Sequence, residues 1–531
     1  MSIYEKISFI MTHNTTIIIG SGINSLTAAA VLARAGEKVL VLERNDWFGG
    51  NLRTQELTVP GFHHDVFSGF HPLFTTSPAW KELQDELEEH GLHYLNTDIP
   101  IGVLLPDGRS GVFYQDRKKT IEALNAEEAG DGDAYEQSMK EFAERQQIVF
   151  GLMGKELWSW DGVKLGMKAG FSLGTEGMIT FLGDALPSTR KWLENNFQSE
   201  VTRGLFAPWV LHMGLGPEDA ASGLMNRVVL ASLEQTGMPV PKGGGQRLAD
   251  ALVGIIRAHD GELRPSVDVQ QIIVEDGKAT GVATDQGRLE AKRVLANVTP
   301  TQLYGRLLQS SAVPPDVKKS TEQYRYGRGC MQLHFALSAP PAWPDERLMR
   351  AGIVHVTPGL NGVSRAVNEA TRGLLPAEGT IVFGQHTALD PSRAPEGQWT
   401  VWIQLQELPN FPVGDALDEI EVNGEWTDEI ANAYADRITE RLDRQLPGFR
   451  DSILGRHVIS PADLANININ LVDGDPYSGQ GSLDQLFLWR PIPELRRHET
   501  PFENLYHIGA STHPGPGLNG TSGYLAAKDI L

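Results

Sequence analysis

Along the first fifty residues, short apolar blocks flank a longer run of small residues, a rhythm that predicts a strand, a helix and a second strand. Thr16-Ile17-Ile18-Ile19 is a β-branched block suited to a parallel strand buried on both faces, and it runs straight into Gly20-Ser21-Gly22. Ala28, Ala29, Ala30, Leu32 and Ala33 favour a helix with small faces, and Gly36 stands where its C-terminal cap belongs. Val39-Leu40-Val41-Leu42 predicts the second strand, closed by Glu43. Residues 80–90, 134–150 and 219–234 show the amphipathic spacing of helices. Residues 262–294 read as a strand meander, and residues 306–490 alternate strands and loops. Leu505 to Ile508 predicts a last strand, with a glycine-rich crossing and a helix beginning near Gly520. Residues 158–186, rich in Gly, Met, Phe and Leu, read as buried helical core in preference to an apolar mouth or a membrane-facing patch.

The strand-glycine-helix-strand unit assigns chemistry to its parts. Gly20 permits a sharp turn, Gly22 lets the backbone approach a pyrophosphate, and the helix start supplies free N–H groups and a positive dipole end. Glu43 follows the glycines at about 20 residues, where an acid accepts hydrogen bonds from a ribose and repels a 2′-phosphate. Ser25 replaces the third glycine of the pattern, and a small local shift of helix against strand is expected from its side chain.

Composition narrows the classes. With 531 residues the chain exceeds one hydrophobic core, so two domains or two interleaved lobes are expected. A net charge of −21 disfavours nucleic acid and a broadly anionic surface, leaving open a local apolar membrane contact. One cysteine, Cys330, excludes an intrachain disulfide or a CxxC redox pair. The N-terminus lacks the features of a secretory signal, which predicts a cytoplasmic protein, and Met11, just before the first strand, is a candidate natural start. No metal site is expected, since His63-His64-Asp65 points neighbouring side chains apart.

Directly after Glu43 come Arg44 and then Gly49-Gly50-Asn51-Leu52-Arg53-Thr54. A double glycine and a cation suit a long dinucleotide passing beneath the loop. This stretch resembles the FAD-binding loop of the phytoene dehydrogenase and carotenoid desaturase-like flavoproteins, cousins of the amine oxidases. Residues 504–517, with Gly509, His513 and Gly517, followed by Gly520 and Thr521, are similar to that family's C-terminal flavin motif. Pro241-Lys242-Gly243-Gly244-Gly245, Asp390-Pro391-Ser392-Arg393 and residues 461–464 extend the resemblance along most of the chain.

The resemblance implies an α/β architecture: a Rossmann-type FAD-binding domain (1–79, 236–305 and 491–531) interleaved with an α+β substrate or cap domain (80–235 and 306–490). It implies FAD as cofactor, with Asn51 and Arg53 as contacts and either Val267 or Val269 against the adenine. A helix start near Gly520 would face the flavin where charge accumulates on reduction. The literal GxGxxG of residues 515–520 is not a second nucleotide site, because no strand and acid follow it. Hydride transfer from a lipophilic, isoprenoid or carotenoid-like substrate, with electrons passed to oxygen or a quinone, is the expected reaction. His513 and His71 are the candidate acid–base residues. An amine oxidase, or a flavin-free prenyl-binding protein related to Rab escort and GDP-dissociation inhibitor proteins, are the alternatives.

Overall fold

A computed structural model describes residues 14–308 and 312–531; Met11 lies outside them. The predicted unit forms as β1 (Thr15–Ile19), α1 (Ile23–Arg34) and β2 (Lys38–Leu42). These strands join Leu505–Ile508, Arg293–Asn297 and Glu262–Arg264 in a five-stranded parallel sheet, in which β1 is central and buried along its whole length. A double-sided cover explains why these strands read as unbroken β-branched runs. One face packs on α1, the Gln246–Ala258 helix and the C-terminal Thr521–Ile530 helix. Of the meander expected over 262–294, residues 269–290 form a three-stranded antiparallel sheet of Val269–Glu275, Lys278–Thr284 and Gly287–Glu290, whereas Glu262–Arg264 and Val294 belong to the parallel sheet.

A second, seven-stranded mixed sheet runs in the order Ile453–Ile459, Gly329–Leu337, Trp399–Leu408, Ile381–Gly384, Ile353–Val356, Ile101–Leu104 and Ser110–Phe113. Its period-two alternation sends Leu333, Phe335, Ile403 and Leu405 into a core with the Asp428–Gln445 helix. Gln332, Trp402 and Gln404 therefore point to the other face. The parallel sheet is built from residues 15–42, 262–297 and 505–508, and the mixed sheet from 101–113 and 329–459, so the chain passes repeatedly between the two.

The expectation that residues 158–186 form buried core is overturned. They carry the Trp160–Ala185 helix, kinked at Gly174, on which Trp160, Phe171 and Ile179 are 75%, 89% and 67% exposed. Among its described large apolar side chains only Phe181 is buried, and the helix rests on Asp131–Gly154 and Ser222–Thr236 by one side only. Apolar composition marked a surface in need of a partner without saying that the chain provides one.

Candidate functional site

A cavity of about 270 Å³ lies between the parallel sheet and the mixed sheet. Gly20, Gly22, Glu43, Arg44, Gly49, Gly50, Asn51, Val267, Val269 and Gly517 all line it. The turn after β1 and the loop after β2 are stitched together: Gly49 N–H donates to the Ser21 carbonyl (3.1 Å) and Leu52 N–H closes back on Gly49 (3.0 Å). The Glu43 carboxylate is 5% exposed and accepts from the Ser21 N–H (2.8 Å), the Ser21 hydroxyl (2.7 Å) and the Asn45 N–H (2.8 Å). Those three bonds fix its direction and leave lone pairs for a diol.

The Ser25 hydroxyl accepts from the Asn297 side-chain amide at 2.9 Å, so a polar bond from the end of the neighbouring strand stands where the pattern has a third glycine. Arg53 lies outside the cavity lining with its guanidinium stacked over Trp47, 3.6 Å from the ring centre. Gly509 donates its N–H to the Ser522 hydroxyl (2.9 Å), and Gly520 and Thr521 start the C-terminal helix against α1; none of these three lines the cavity.

Neither candidate histidine lines it either. His513 turns its Nε2 to the Lys155 carbonyl (2.9 Å), and burial pulls its pKa down to about 4. His71 is fully buried, bonded through Nδ1 to the Tyr94 hydroxyl (2.9 Å), and burial pulls its pKa down to about 3.

The residues present fit an adenine dinucleotide. The first turn of α1 holds no acidic side chain, so its N–H groups face the cavity without a competing anion. Two cations, Arg44 and Arg306, line the same space. Burial lowers the Arg306 pKa, Asp268 raises it and the Arg44 charge lowers it, so the two cations lie close enough to act on one anion. Gly50 completes the cradle at φ +59°, where a Cβ would stand 3.0 Å from the Cα of Gly22. A β-branched residue there costs about 1–2 kcal/mol of stability in backbone strain, and its side chain would crowd the Gly22 backbone where the pyrophosphate must pass. Gly50→Val is expected to purify with at least tenfold less flavin and unchanged far-ultraviolet circular dichroism; full flavin content would refute the cradle.

Sequence reasoning missed the lining residues of the second half, among them Asn297, Arg306, Gln332, Gln404, Asn468, Asn470 and Tyr477. Asn468 donates to the Asn51 side-chain oxygen (2.9 Å), and Asn470 donates to the Asn297 carbonyl (3.1 Å) while accepting from Thr299 N–H (3.2 Å). The alternating Asn-Ile-Asn-Ile-Asn of residues 466–470 was the available signal.

A buried ionic knot ties the site to both sheets. Asp65, Asp390 and Arg393 are all 1% exposed or less. Arg393 bonds Asp65 (3.0 Å), Asp390 (2.9 Å) and the Pro241 carbonyl (3.2 Å). Asp65 also accepts from the Thr54 hydroxyl (2.6 Å) and Gly245 N–H (2.7 Å), and Asp390 from Gly243 N–H (2.7 Å). Burial pushes the Asp65 carboxyl up, but Arg393, His386 and these donors outweigh it and hold it at about 2.

Parallel sheet, glycine cradle and acid-terminated second strand together define a Rossmann-type dinucleotide-binding protein. The chain belongs to the flavin containing amine oxidoreductase family, whose model matches residues 26–531, and it is an FAD-dependent enzyme. It is 26% identical to one of the subunits of limonene dehydrogenase from Castellaniella defragrans, over 97% of this chain and 94% of that one. It is 23% identical to the phytoene desaturase of Fusarium fujikuroi over 95% of this chain and 86% of that one. An oxidoreductase from Methanosarcina mazei shares the fold with a TM-score of 0.60 at 17% identity, covering 97% of this chain and 99% of that one.

Proposed function

We propose that this enzyme dehydrogenates a lipophilic substrate of the isoprenoid or carotenoid class. The observation that carries the reading is the shared cavity: nucleotide-binding groups of the parallel sheet and a wall of Phe67, Leu464, Ile469, Leu471 and Tyr477 line one space. FAD, when bound, supplies a two-electron acceptor for a hydride leaving a substrate C–H bond. The chain's part is to orient and to exclude water. Glu43 takes the ribose, the first turn of α1 with Arg44 and Arg306 the pyrophosphate, and Val267 or Val269 the adenine. Arg53, stacked on Trp47, stiffens the loop that carries Asn51. Gly509, Gly520 and Thr521 set the C-terminal crossing against α1. His513, held neutral against the Lys155 carbonyl, positions that crossing, and His71 supports the loop before it from behind.

Among the described residues lining the cavity, the ionisable groups are Glu43, Arg44, Asp268, Arg306 and Tyr477. The first four belong to the nucleotide side, so no carboxylate remains for a cationic amine. The names of the two relatives, limonene dehydrogenase and phytoene desaturase, support an isoprenoid substrate. No helix among the described residues is long and apolar enough to cross a membrane. The exposed apolar face of the Trp160–Ala185 helix suits peripheral contact with lipid, where such a substrate dissolves, and oxygen or a quinone would take the electrons. The test is an absorption spectrum of purified protein, then anaerobic titration with isoprenoid hydrocarbons and amines in lipid vesicles. Flavin bands that bleach with the hydrocarbon are expected. Bleaching by amines alone overturns the substrate class, and protein that does not sediment with the vesicles overturns the lipid contact.

A further inference from the structure

The wall given by the mixed sheet is not uniformly apolar. Gln332 and Gln404 lie directly opposite each other on paired antiparallel strands, and both line the cavity. Cross-strand partners on one face stand close enough to act on a single atom.

The hydrogen-bond network decides which end of each amide faces inward. The Trp402 indole N–H can only donate, and it bonds the Gln332 side chain at 2.9 Å, so it holds Oε1. The Gln332 Nε2 is left on the cavity side. The Gln404 orientation follows from a backbone carbonyl two steps away. The Leu211 carbonyl can only accept, so the Tyr477 hydroxyl donates to it (2.6 Å) and must itself accept from the Gln406 amide nitrogen (2.8 Å). That same nitrogen donates to Gln404 Oε1 (3.0 Å). The Gln404 Oε1 is held by Gln406, so its Nε2 points away from Gln406. A purely hydrocarbon occupant would leave these donors facing an apolar surface, at a cost that alanine or leucine would avoid.

We infer that Gln332 and Gln404 form a donor pair that recognises an acceptor oxygen, such as a carbonyl, on an otherwise apolar substrate. The inference rests on reading the cavity as the reaction chamber of a flavin dehydrogenase, and it refines the substrate class to an oxygenated lipid. An ammonium group has no lone pair to offer such donors, so the same pair discriminates against protonated amines. Tyr477 is the positioning residue: its hydroxyl, fixed by Leu211, sets Gln406 and through it Gln404.

The experiment uses flavin-loaded protein and two probes of equal carbon number, the aldehyde farnesal and the hydrocarbon farnesene. Each is titrated in detergent while the flavin absorption band and the thermal midpoint are followed. Farnesal is expected to bind about tenfold more tightly than farnesene, the worth of one or two hydrogen bonds. Gln332→Leu and Gln404→Met should each cut the preference by about threefold, and the double variant should abolish it, while farnesene affinity and flavin content stay as they were. Equal binding of the two probes, no binding of either, or a preference that survives both substitutions overturns the proposal. Loss of flavin from the variants also overturns it, because the donors would then hold the cofactor. Protein that never carried flavin would refute the dehydrogenase reading itself, and that is seen before any probe is added.

Discussion

Arg393→Met will cost about 3–5 kcal/mol of stability, the expected result of leaving buried carboxylates without their counter-charge. Arg393 is the sole cation bonded to either Asp65 or Asp390 among the described residues, and none of the three side chains reaches water. The substitution strands two negative charges where only backbone N–H and hydroxyl groups remain to solvate them. Three separated segments lose their common anchor at once. These are the His64–Asp65 strand after the flavin loop, the Pro241–Gly245 turn before the Gln246–Ala258 helix, and the Asp390–Arg393 turn of the mixed-sheet region. Release of flavin should therefore precede global unfolding in a thermal scan. Arg393→Lys keeps the charge but cannot bond both carboxylates and the Pro241 carbonyl in the planar geometry of a guanidinium, and should fall between the two. A midpoint within a degree of the wild type for the methionine variant would show that the knot is not a source of stability.

How much of this was legible beforehand depends on the range of each interaction. The β1, α1 and β2 unit is written locally: a β-branched run, small helix formers and an acid at the right distance are constraints within thirty residues. The Leu505–Ile508 strand and the helix after Gly520 were readable for the same reason. Ser25 was legible as a departure, but its remedy was not, because the amide that meets it sits 272 residues away at Asn297. His513 lies within a recognisable motif, yet its ring direction is set by the Lys155 carbonyl, 358 residues distant. Gln332 and Gln404 look like ordinary polar positions in alternating strands until the register places them opposite each other. Residues 158–186 mislead in the opposite sense: apolarity is local, but burial is a property of the partner.

The protein should also lose stability steeply between pH 6.5 and about 5, a range in which ordinary carboxylates remain ionised. His64 and His71 are drawn down to about 3, and His212, His386 and His507 to about 4, in every case chiefly because burial penalises the imidazolium. The sign follows from linkage. Well above pH 6.5 these rings are neutral in both folded and unfolded chains and contribute no pH dependence. As pH falls through 6.5 the unfolded chain takes up protons that the folded chain refuses until about pH 4, so unfolding is favoured throughout that window. By pH 5.5 each ring costs about 1.4 kcal/mol and the five together about 7 kcal/mol, comparable with the whole stability of a typical domain. Asp65 gives no relief, since its carboxyl, held at about 2, supplies stability that is already complete above the ordinary carboxylate range and is lost only below it. Thermal midpoints at constant ionic strength should be level from pH 8 to 7 and drop sharply below 6.5. His334, His355 and His513 are lowered by burial in the same way, so His386→Gln, which removes one of eight such rings, should shallow that fall by about an eighth. A midpoint that holds level down to pH 5 would mean that these imidazoles accept protons in place, with water or a counter-charge reaching the site that ties the flavin loop to the mixed sheet.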